Sequence, residues 1–146
     1  MSPTIEVIGS IETWDRPVPA PDAVTAEYWK AASEGRLLFQ QCPSCDHRQF
    51  YPRAICTACG DTPAYVQASG RGVVHTFTVI RQNYAKPFRS LAPYVVAMIE
   101  LEEGPRMMTN IIECEVEDVR VGMEVEVVMQ VAAEDVAVPF WRPVSS

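Results

Sequence analysis

Apolar and polar residues alternate along much of the second half of the chain, with the two-residue period of a β-strand. Runs rich in β-branched and aromatic residues that alternate in this way favour strands with one buried face. Five such runs follow one another after Gly70. We place these strands at Arg71–Arg81, Tyr94–Leu101, Arg106–Ile112, Met123–Val131 and Val136–Trp141.

This order of strands predicts the architecture. Five short strands with one long connection and no long helix among them suit a small closed antiparallel barrel of the OB type. A five-stranded sandwich is the competing architecture. We therefore expect a mostly β fold whose barrel occupies residues 68–146.

A helix is predicted upstream of the strands, over residues 25–36. Tyr28, Trp29 and Ala32 are spaced to form one apolar helical face. Thr25 is a suitable N-cap residue, and Gly35 stands where a left-handed residue commonly ends a helix.

Residues 1–24 contain four prolines and an isolated Trp14, a composition typical of an extended arm. Such a segment cannot pack on itself. We expect it to be disordered, or to lie along a partner with Trp14 as its anchor.

Two CxxC pairs lie between the helix and the strands, within residues 37–67. Two such turns can close a tetrahedron of thiolates around one metal ion, which predicts a rubredoxin-like ribbon holding structural zinc, or iron. Two disulfides are the alternative, but residues 1–7 lack an export signal, so we expect reduced thiols and a cytoplasmic location. His47 is expected to be an exposed turn residue. The predicted ligands are Cys42, Cys45, Cys56 and Cys59.

The chain has 146 residues, of which 48% are apolar and 21% charged, enough for one compact core plus a metal-stapled module. No run approaches the ~20 apolar residues that cross a bilayer. The formal charge of −7 disfavours binding to a phosphate backbone. Nucleic acid is therefore an improbable partner.

The charge is unevenly distributed. Residues 48–89 hold six basic residues and one acid, a balance of +5, whereas residues 100–135 hold eleven acids and two basic residues, a balance of −9. The basic segment is suited to a small anionic ligand. Ordinary surface charge that happens to segregate in sequence is the alternative.

The long connection between the first two strands, residues 82–93, interleaves cations and aromatic rings: Tyr84, Lys86, Phe88 and Arg89. This mixture suits a phosphorylated ligand with a stackable ring, such as an adenine nucleotide. A mobile loop that covers the barrel end is the alternative.

Catalytic constellations are missing from the sequence. Thioester chemistry needs a nucleophile with an adjacent base, or an oriented acid and base. Cys114 lies among three glutamates, which raise a thiol pKa, and His75 is expected to be structural. Thr109 and Asn110 are expected to form cross-strand hydrogen bonds.

From about Tyr28 to Pro143 the chain resembles a family of small bacterial and archaeal proteins that join a rubredoxin-like zinc ribbon to an OB fold. These proteins are described as acyl-CoA-associated and were long classed as of unknown function. The matching segments are AEYWKAASEGRLLFQQC, CPSC, QFYPR, CTACG, SGRGVVHTFTV, PYVVAMIELEEGPRMMTNI, DVRVGMEVEV and PFWRP.

This resemblance implies a zinc-binding accessory subunit of lipid and acyl-CoA metabolism that helps position acyl-CoA. It implies docking on a thiolase-type enzyme, an aldolase-like relative or a MaoC-like hydratase. It implies no catalytic residue in this chain. Together with the basic segment, it makes four residues candidate contacts to the phosphates of CoA. The alternatives are a single-stranded nucleic-acid-binding protein and an independent acyl-CoA enzyme. The candidate contacts are Arg53, Arg81, Lys86 and Arg89.

Overall fold

The structure, a computed structural model, describes residues 5–145 and is mostly β. All five predicted barrel strands are present, with ends within a few residues of their expected positions. The elements in chain order are β1 (Val7–Ile8), α1 (Ala26–Ser33), β2 (Leu38–Gln41), β3 (Arg48–Gln49), β4 (Ala64–Gln67), β5 (Arg71–Ile80), α2 (Lys86–Arg89), β6 (Tyr94–Leu101), β7 (Arg106–Ile111), β8 (Glu124–Ala133) and β9 (Val136–Pro143).

The five long strands close into a barrel, which confirms the OB-type prediction over the sandwich. Around the barrel the order is β5–β6–β7–β9–β8, and β8 pairs again with β5. Neighbouring strands are antiparallel except β7 and β9, whose parallel pairing at Ile111 and Trp141 closes the ring. Alternate residues of β6 point inward, and Trp141 is fully buried in the core.

Gly72 is required where β5 crosses β6. A Cβ atom at this position would lie 2.6 Å from the carbonyl oxygen of Glu100, so a larger residue would push the two strands apart. Just beyond it, the register of β5 shifts between Val74 and Thr76, and the exposed His75 occupies this bulge.

Helix α1 begins one turn after the residue that caps it. The Asp22 carboxylate accepts hydrogen bonds from the backbone N–H groups of Val24 (3.0 Å) and Thr25 (2.8 Å). The hydrogen bond from the Thr25 N–H is the main reason that the pKa of Asp22 is lowered. Thr25 stands at the N-cap position, as predicted, but its side chain caps no helix N–H group and donates its hydroxyl to Asp22 (3.0 Å).

The end of α1 matches the sequence expectation. Gly35 has a φ of 78° and donates to the carbonyl of Ala32, while Arg36 donates to the carbonyl of Ala31. This hydrogen-bond pattern is a Schellman motif. A Cβ at Gly35 would also lie 2.9 Å from the carbonyl oxygen of Ile5, so glycine lets the arm approach the helix end.

The arm lies on this chain's own barrel, unlike either expected alternative. β1 pairs in parallel with β8, and the Trp14 ring lies 6.3 Å from that of Phe140. The Arg16 guanidinium lies over both rings, at 4.9 and 5.0 Å from their centroids. The arm packs because β8 offers an open edge and Phe140 an apolar contact. Residues 1–4, also assigned to the arm, are outside the described residues.

No helix between residues 5 and 145 is both long enough and apolar enough to cross a membrane.

Candidate metal centre and ligand-binding face

The two CxxC turns have the same backbone construction. In each, the carbonyl of the first cysteine accepts a hydrogen bond from the N–H four residues later, at Asp46 (2.8 Å) and Gly60 (2.9 Å). Both acceptor cysteines, Cys42 and Cys56, are buried. Asp46 and Gly60 each have a positive φ, which turns the chain back towards the sulfurs.

The four sulfurs fit one metal ion. All four Sγ atoms lie within 4.8 Å of one another. The distance is 3.5 Å between Cys42 and Cys59, and 3.7 Å between Cys45 and Cys56. Tetrahedral zinc with Zn–S bonds of about 2.3 Å places its sulfurs about 3.8 Å apart. The spacing and the all-thiolate chemistry therefore fit structural zinc, which would be fully coordinated by protein.

Because the thiols lie close together, the pKa values of Cys56 and Cys59 shift in opposite directions. Burial by itself raises the pKa of Cys56, but the N–H groups of Cys59 and Ala58 and the neighbouring thiols outweigh it and lower that pKa to about 6. The pKa of Cys59 rises to about 12, where the neighbouring thiols outweigh the lowering effect of the Asp61 N–H. Metal coordination removes this competition by deprotonating the thiols.

A pair of buried glutamines, which the sequence analysis missed, connects the two halves of the ribbon. The Gln49 amide donates to the Gln40 side-chain oxygen (2.9 Å), and Gln40 also bonds the backbone N–H and carbonyl of Arg53. The Gln49 oxygen accepts from the N–H of Thr57 (2.9 Å), inside the second CxxC turn. The only clue to this glutamine pair in the sequence is that the two residues lie on neighbouring segments, which pair as β2 and β3.

His47 is an exposed turn residue, as expected. Its Nε2 atom lies 3.0 Å from the hydroxyl of Thr57, so it connects the two CxxC turns from outside. It is not part of the sulfur cluster.

Two of the four proposed CoA contacts meet at one end of the barrel. Arg81 and Arg89 line an open hollow of about 530 Å³, together with Asn83 and Tyr84. The Tyr84 side chain is 75% exposed, so its ring is available for stacking. We call this site the basic hollow.

The loop that carries the basic hollow is held in place by hydrogen bonds. Arg89 donates to the carbonyl of Tyr84 (2.9 Å). Asn83 accepts from the N–H of Ala85 (2.9 Å) and donates to the hydroxyl of Tyr94 (2.8 Å), which anchors the loop to β6. Lys86 is exposed at the start of α2.

Arg53 lies apart in sequence and structure. It is exposed in the ribbon between β3 and the second CxxC turn, and it is not among the residues that line the basic hollow.

A second hollow, of about 480 Å³, lies where α1, the ribbon and the barrel meet. Phe50 and Tyr51 of the ribbon lie beside Tyr28 of α1, with ring centroids 5.7 and 6.2 Å from it. Only Arg106 brings charge to the lining. We call this site the apolar hollow; it is lined by Tyr28, Trp29, Phe50, Tyr51, Met98, Arg106, Met107, Met108, Val138 and Pro139.

Cys114, Thr109 and Asn110, the other polar residues considered from the sequence, have contacts typical of structural residues. Burial, followed by Asp118 and Glu115, raises the pKa of Cys114. Thr109 donates to the carbonyl of Pro139 (3.1 Å) and Asn110 to that of Val95 (2.8 Å). Both bonds run to adjacent strands.

Two family models together match more than half of the chain. The ChsH2 rubredoxin-like zinc ribbon domain matches residues 29–64, and the ChsH2 C-terminal OB-fold domain matches residues 65–130. The metal geometry and the closed barrel described above agree with these two matches.

Similar proteins carry several names. A DUF35 domain-containing scaffold protein of Methanocaldococcus jannaschii is 37% identical over 117 residues, which cover 78% of this chain and 82% of the relative. A probable enoyl-CoA hydratase alpha subunit of Thermomonospora curvata is 33% identical over 88% of this chain but only 40% of that longer protein.

A solved structure extends the similarity to the whole fold. The structure described as an Ltp2-ChsH2(DUF35) aldolase contains a chain that is 32% identical, with a TM-score of 0.75. The match covers 86% of this chain and 98% of that one. The chain described here therefore belongs to the ChsH2-type DUF35 family, in which a rubredoxin-like zinc ribbon precedes an OB-fold domain.

Proposed function

We propose that this protein is a zinc-stabilised, non-catalytic accessory subunit that helps hold an acyl-CoA and docks on the enzyme that acts on it. The partner we propose is a thiolase-type enzyme or a hydratase. The observation that carries the proposal is the basic hollow, where two arginines and an exposed tyrosine converge at one end of the barrel.

The chemistry of the basic hollow suits the nucleotide end of CoA. Arginine guanidinium groups bind phosphate oxygens through charge-assisted, often bidentate hydrogen bonds. The exposed Tyr84 ring offers a flat face to an adenine base. We assign the phosphate contacts to Arg81 and Arg89, which line the hollow, and to Lys86, which is exposed on the same loop. We leave out Arg53, because it lies in the ribbon.

The surroundings of Cys114 and His47 support a non-catalytic role. The raised pKa of Cys114 keeps its thiol protonated and weakly nucleophilic. His47 is beside Thr57 at the metal ribbon, and a complete sulfur set leaves zinc no position for substrate. Relatives are named scaffold proteins, which agrees with this role.

Support for a partner comes from the names of relatives. One structure is described as an aldolase of two named components, and two relatives are named as alpha subunits of hydratases for CoA compounds. We infer that this chain likewise contributes a binding surface to a reaction whose catalytic groups belong to another protein.

Replacing Lys86 and Arg89 together with alanine tests the proposal. We expect CoA affinity, measured by isothermal titration on the full zinc-loaded chain, to fall at least about tenfold, because two phosphate contacts are lost. The melting temperature should change little, since both side chains are exposed and the one hydrogen bond lost, from Arg89 to the Tyr84 carbonyl, is at the surface.

The matched control is the double variant Lys30→Ala/Arg36→Ala, which removes the same charge at α1. The Arg36–Glu34 pair lost in it is exposed, so little stability depends on it. Equal weakening in both double variants would indicate general charge attraction and no site. Unchanged affinity in the loop variant would exclude Lys86 and Arg89 as contacts.

A further inference from the structure

An outward-facing stripe on β6 joins the two hollows. Tyr94, Val96 and Met98 alternate with the buried Val95 and Ala97, so their side chains share the outer face of the barrel. At about 3.4 Å per strand residue, the distance from Tyr94 to Met98 is about 14 Å.

The basic hollow meets the stripe at Tyr94. The Tyr94 hydroxyl accepts a hydrogen bond from Asn83, which lines that hollow, and the Tyr94 ring lies 6.4 Å from the ring of Phe88 in α2. A ligand in the basic hollow therefore reaches the outer face of β6 without crossing the barrel wall.

The apolar hollow meets the other end of the stripe at Met98. Met98 pairs across the strands with Met108, and both line the apolar hollow. Met108 is 69% exposed and pairs with the half-buried Met98, so the two methionines form an apolar surface that is open to solvent.

The lining of the apolar hollow selects an uncharged, flexible occupant. Methionine and aromatic side chains adapt to apolar groups of varied shape. The one charged lining residue, Arg106, lies 3.4 Å from the Glu100 carboxylate, so its charge is compensated. A volume of about 480 Å³ is in the range of small-ligand sites.

We propose that the apolar hollow binds the acyl group of the same acyl-CoA, while its linker runs along Tyr94, Val96 and Met98. This inference rests on the proposed function and adds the position and the class of the acyl group: an uncharged aliphatic chain longer than acetyl. The extended linker between the diphosphate and the sulfur of CoA is longer than the stripe, so one ligand spans both hollows.

Titration of the full zinc-loaded chain with CoA, acetyl-CoA and octanoyl-CoA tests the inference. We expect octanoyl-CoA to bind at least about tenfold more tightly than acetyl-CoA, an effect that burial of two methylene groups would give. Met108→Glu should bring the two affinities to within about twofold and leave CoA binding unchanged.

The control variant is Val121→Glu, which places the same charge at a valine that is 67% exposed in the turn before β8. It should keep the preference for octanoyl-CoA. Equal binding of acetyl-CoA and octanoyl-CoA by the unmodified chain would overturn the inference. So would a Met108→Glu effect of the same size on all three ligands.

A probe without the nucleotide separates this inference from the proposed function. S-octanoyl-N-acetylcysteamine should bind the unmodified chain weakly and lose binding in Met108→Glu, while the Lys86→Ala/Arg89→Ala variant should bind it normally. This result would support the acyl site even when CoA itself fails to bind. No binding of this probe, together with no chain-length preference among the CoA ligands, would exclude it.

Discussion

Gln40 and Gln49 show how single buried polar residues organise the zinc ribbon. Gln40 is only 3% exposed, and its amide satisfies backbone groups that no strand partner reaches. A buried amide in this position holds Arg53 and the second CxxC turn against β2. These hydrogen bonds connect β2, β3 and the second CxxC turn.

We expect Gln40→Leu to destabilise the ribbon by about 2 kcal/mol, because the N–H and carbonyl of Arg53 and the Gln49 amide lose their partner in a buried place. Chelator competition should show weaker zinc binding, and urea titration should show an earlier ribbon transition.

Gln41→Leu is the matched control, since Gln41 is the next residue and points to the opposite face of β2. Equal destabilisation by the two changes would show that the strand tolerates no leucine and that the glutamine network has no special part.

At the scale of elements, the ribbon and the barrel are held by different forces. The barrel closes through five paired strands around an apolar core that includes Ile99 and Trp141. The ribbon sheet has three strands of two to four residues. Leu38 and Phe39 of β2 join the shared apolar core, and the sulfur cluster holds the two CxxC turns together. Structural zinc therefore contributes directly to the folding of the ribbon.

Cys56→Ser should remove bound zinc and melt the ribbon while the barrel persists. Elemental analysis should fall from one zinc per chain to well below one, and hydrogen exchange should accelerate in residues 37–67 more than in β5–β9.

Cys114→Ser is the control, because Cys114 is outside the sulfur cluster. Retention of stoichiometric zinc by Cys56→Ser would contradict the four-cysteine site. If the zinc-free variant still supported the partner enzyme fully, the ribbon would not be the docking element.

Across the whole molecule, some residues of the basic segment (48–89) and the acidic segment (100–135) bond to each other and stabilise the structure. Arg48 of the ribbon donates to the carbonyl of Glu103 in the β6–β7 turn (2.8 Å), and the Glu103 carboxylate accepts from the N–H of Ser69 (2.7 Å). These bonds join the basic and acidic segments and seat the ribbon on the barrel. Arg81 and Arg89 of the basic hollow take no part in these bonds and are exposed.

The overall charge of −7 predicts weak interaction with nucleic acid. We expect no binding of a 20-nucleotide oligothymidylate at micromolar concentration in 50 mM salt, measured by fluorescence anisotropy. Sub-micromolar affinity that falls steeply with added salt would instead favour a single-stranded nucleic-acid-binding function.

Features that depend on local spacing could be predicted from the amino-acid sequence alone. Cysteines at CxxC spacing place two sulfurs on one turn, alternating residues form strands with one buried face, and Gly35 permits the left-handed end of α1. These relations involve residues that are close in the chain, so the ribbon, the helix and the five strands were predictable.

Contacts between residues that are distant in the chain could be known only from the folded molecule. The packing of Trp14 on Phe140, the Gln40–Gln49 pair, the separation of Arg53 from Arg81, and the stripe between the two hollows all depend on strand pairing and barrel closure. The same alternating pattern is compatible with several strand pairings. The pairing that forms is the one that buries the shared apolar core. The position of a binding face is therefore a property of the assembled barrel.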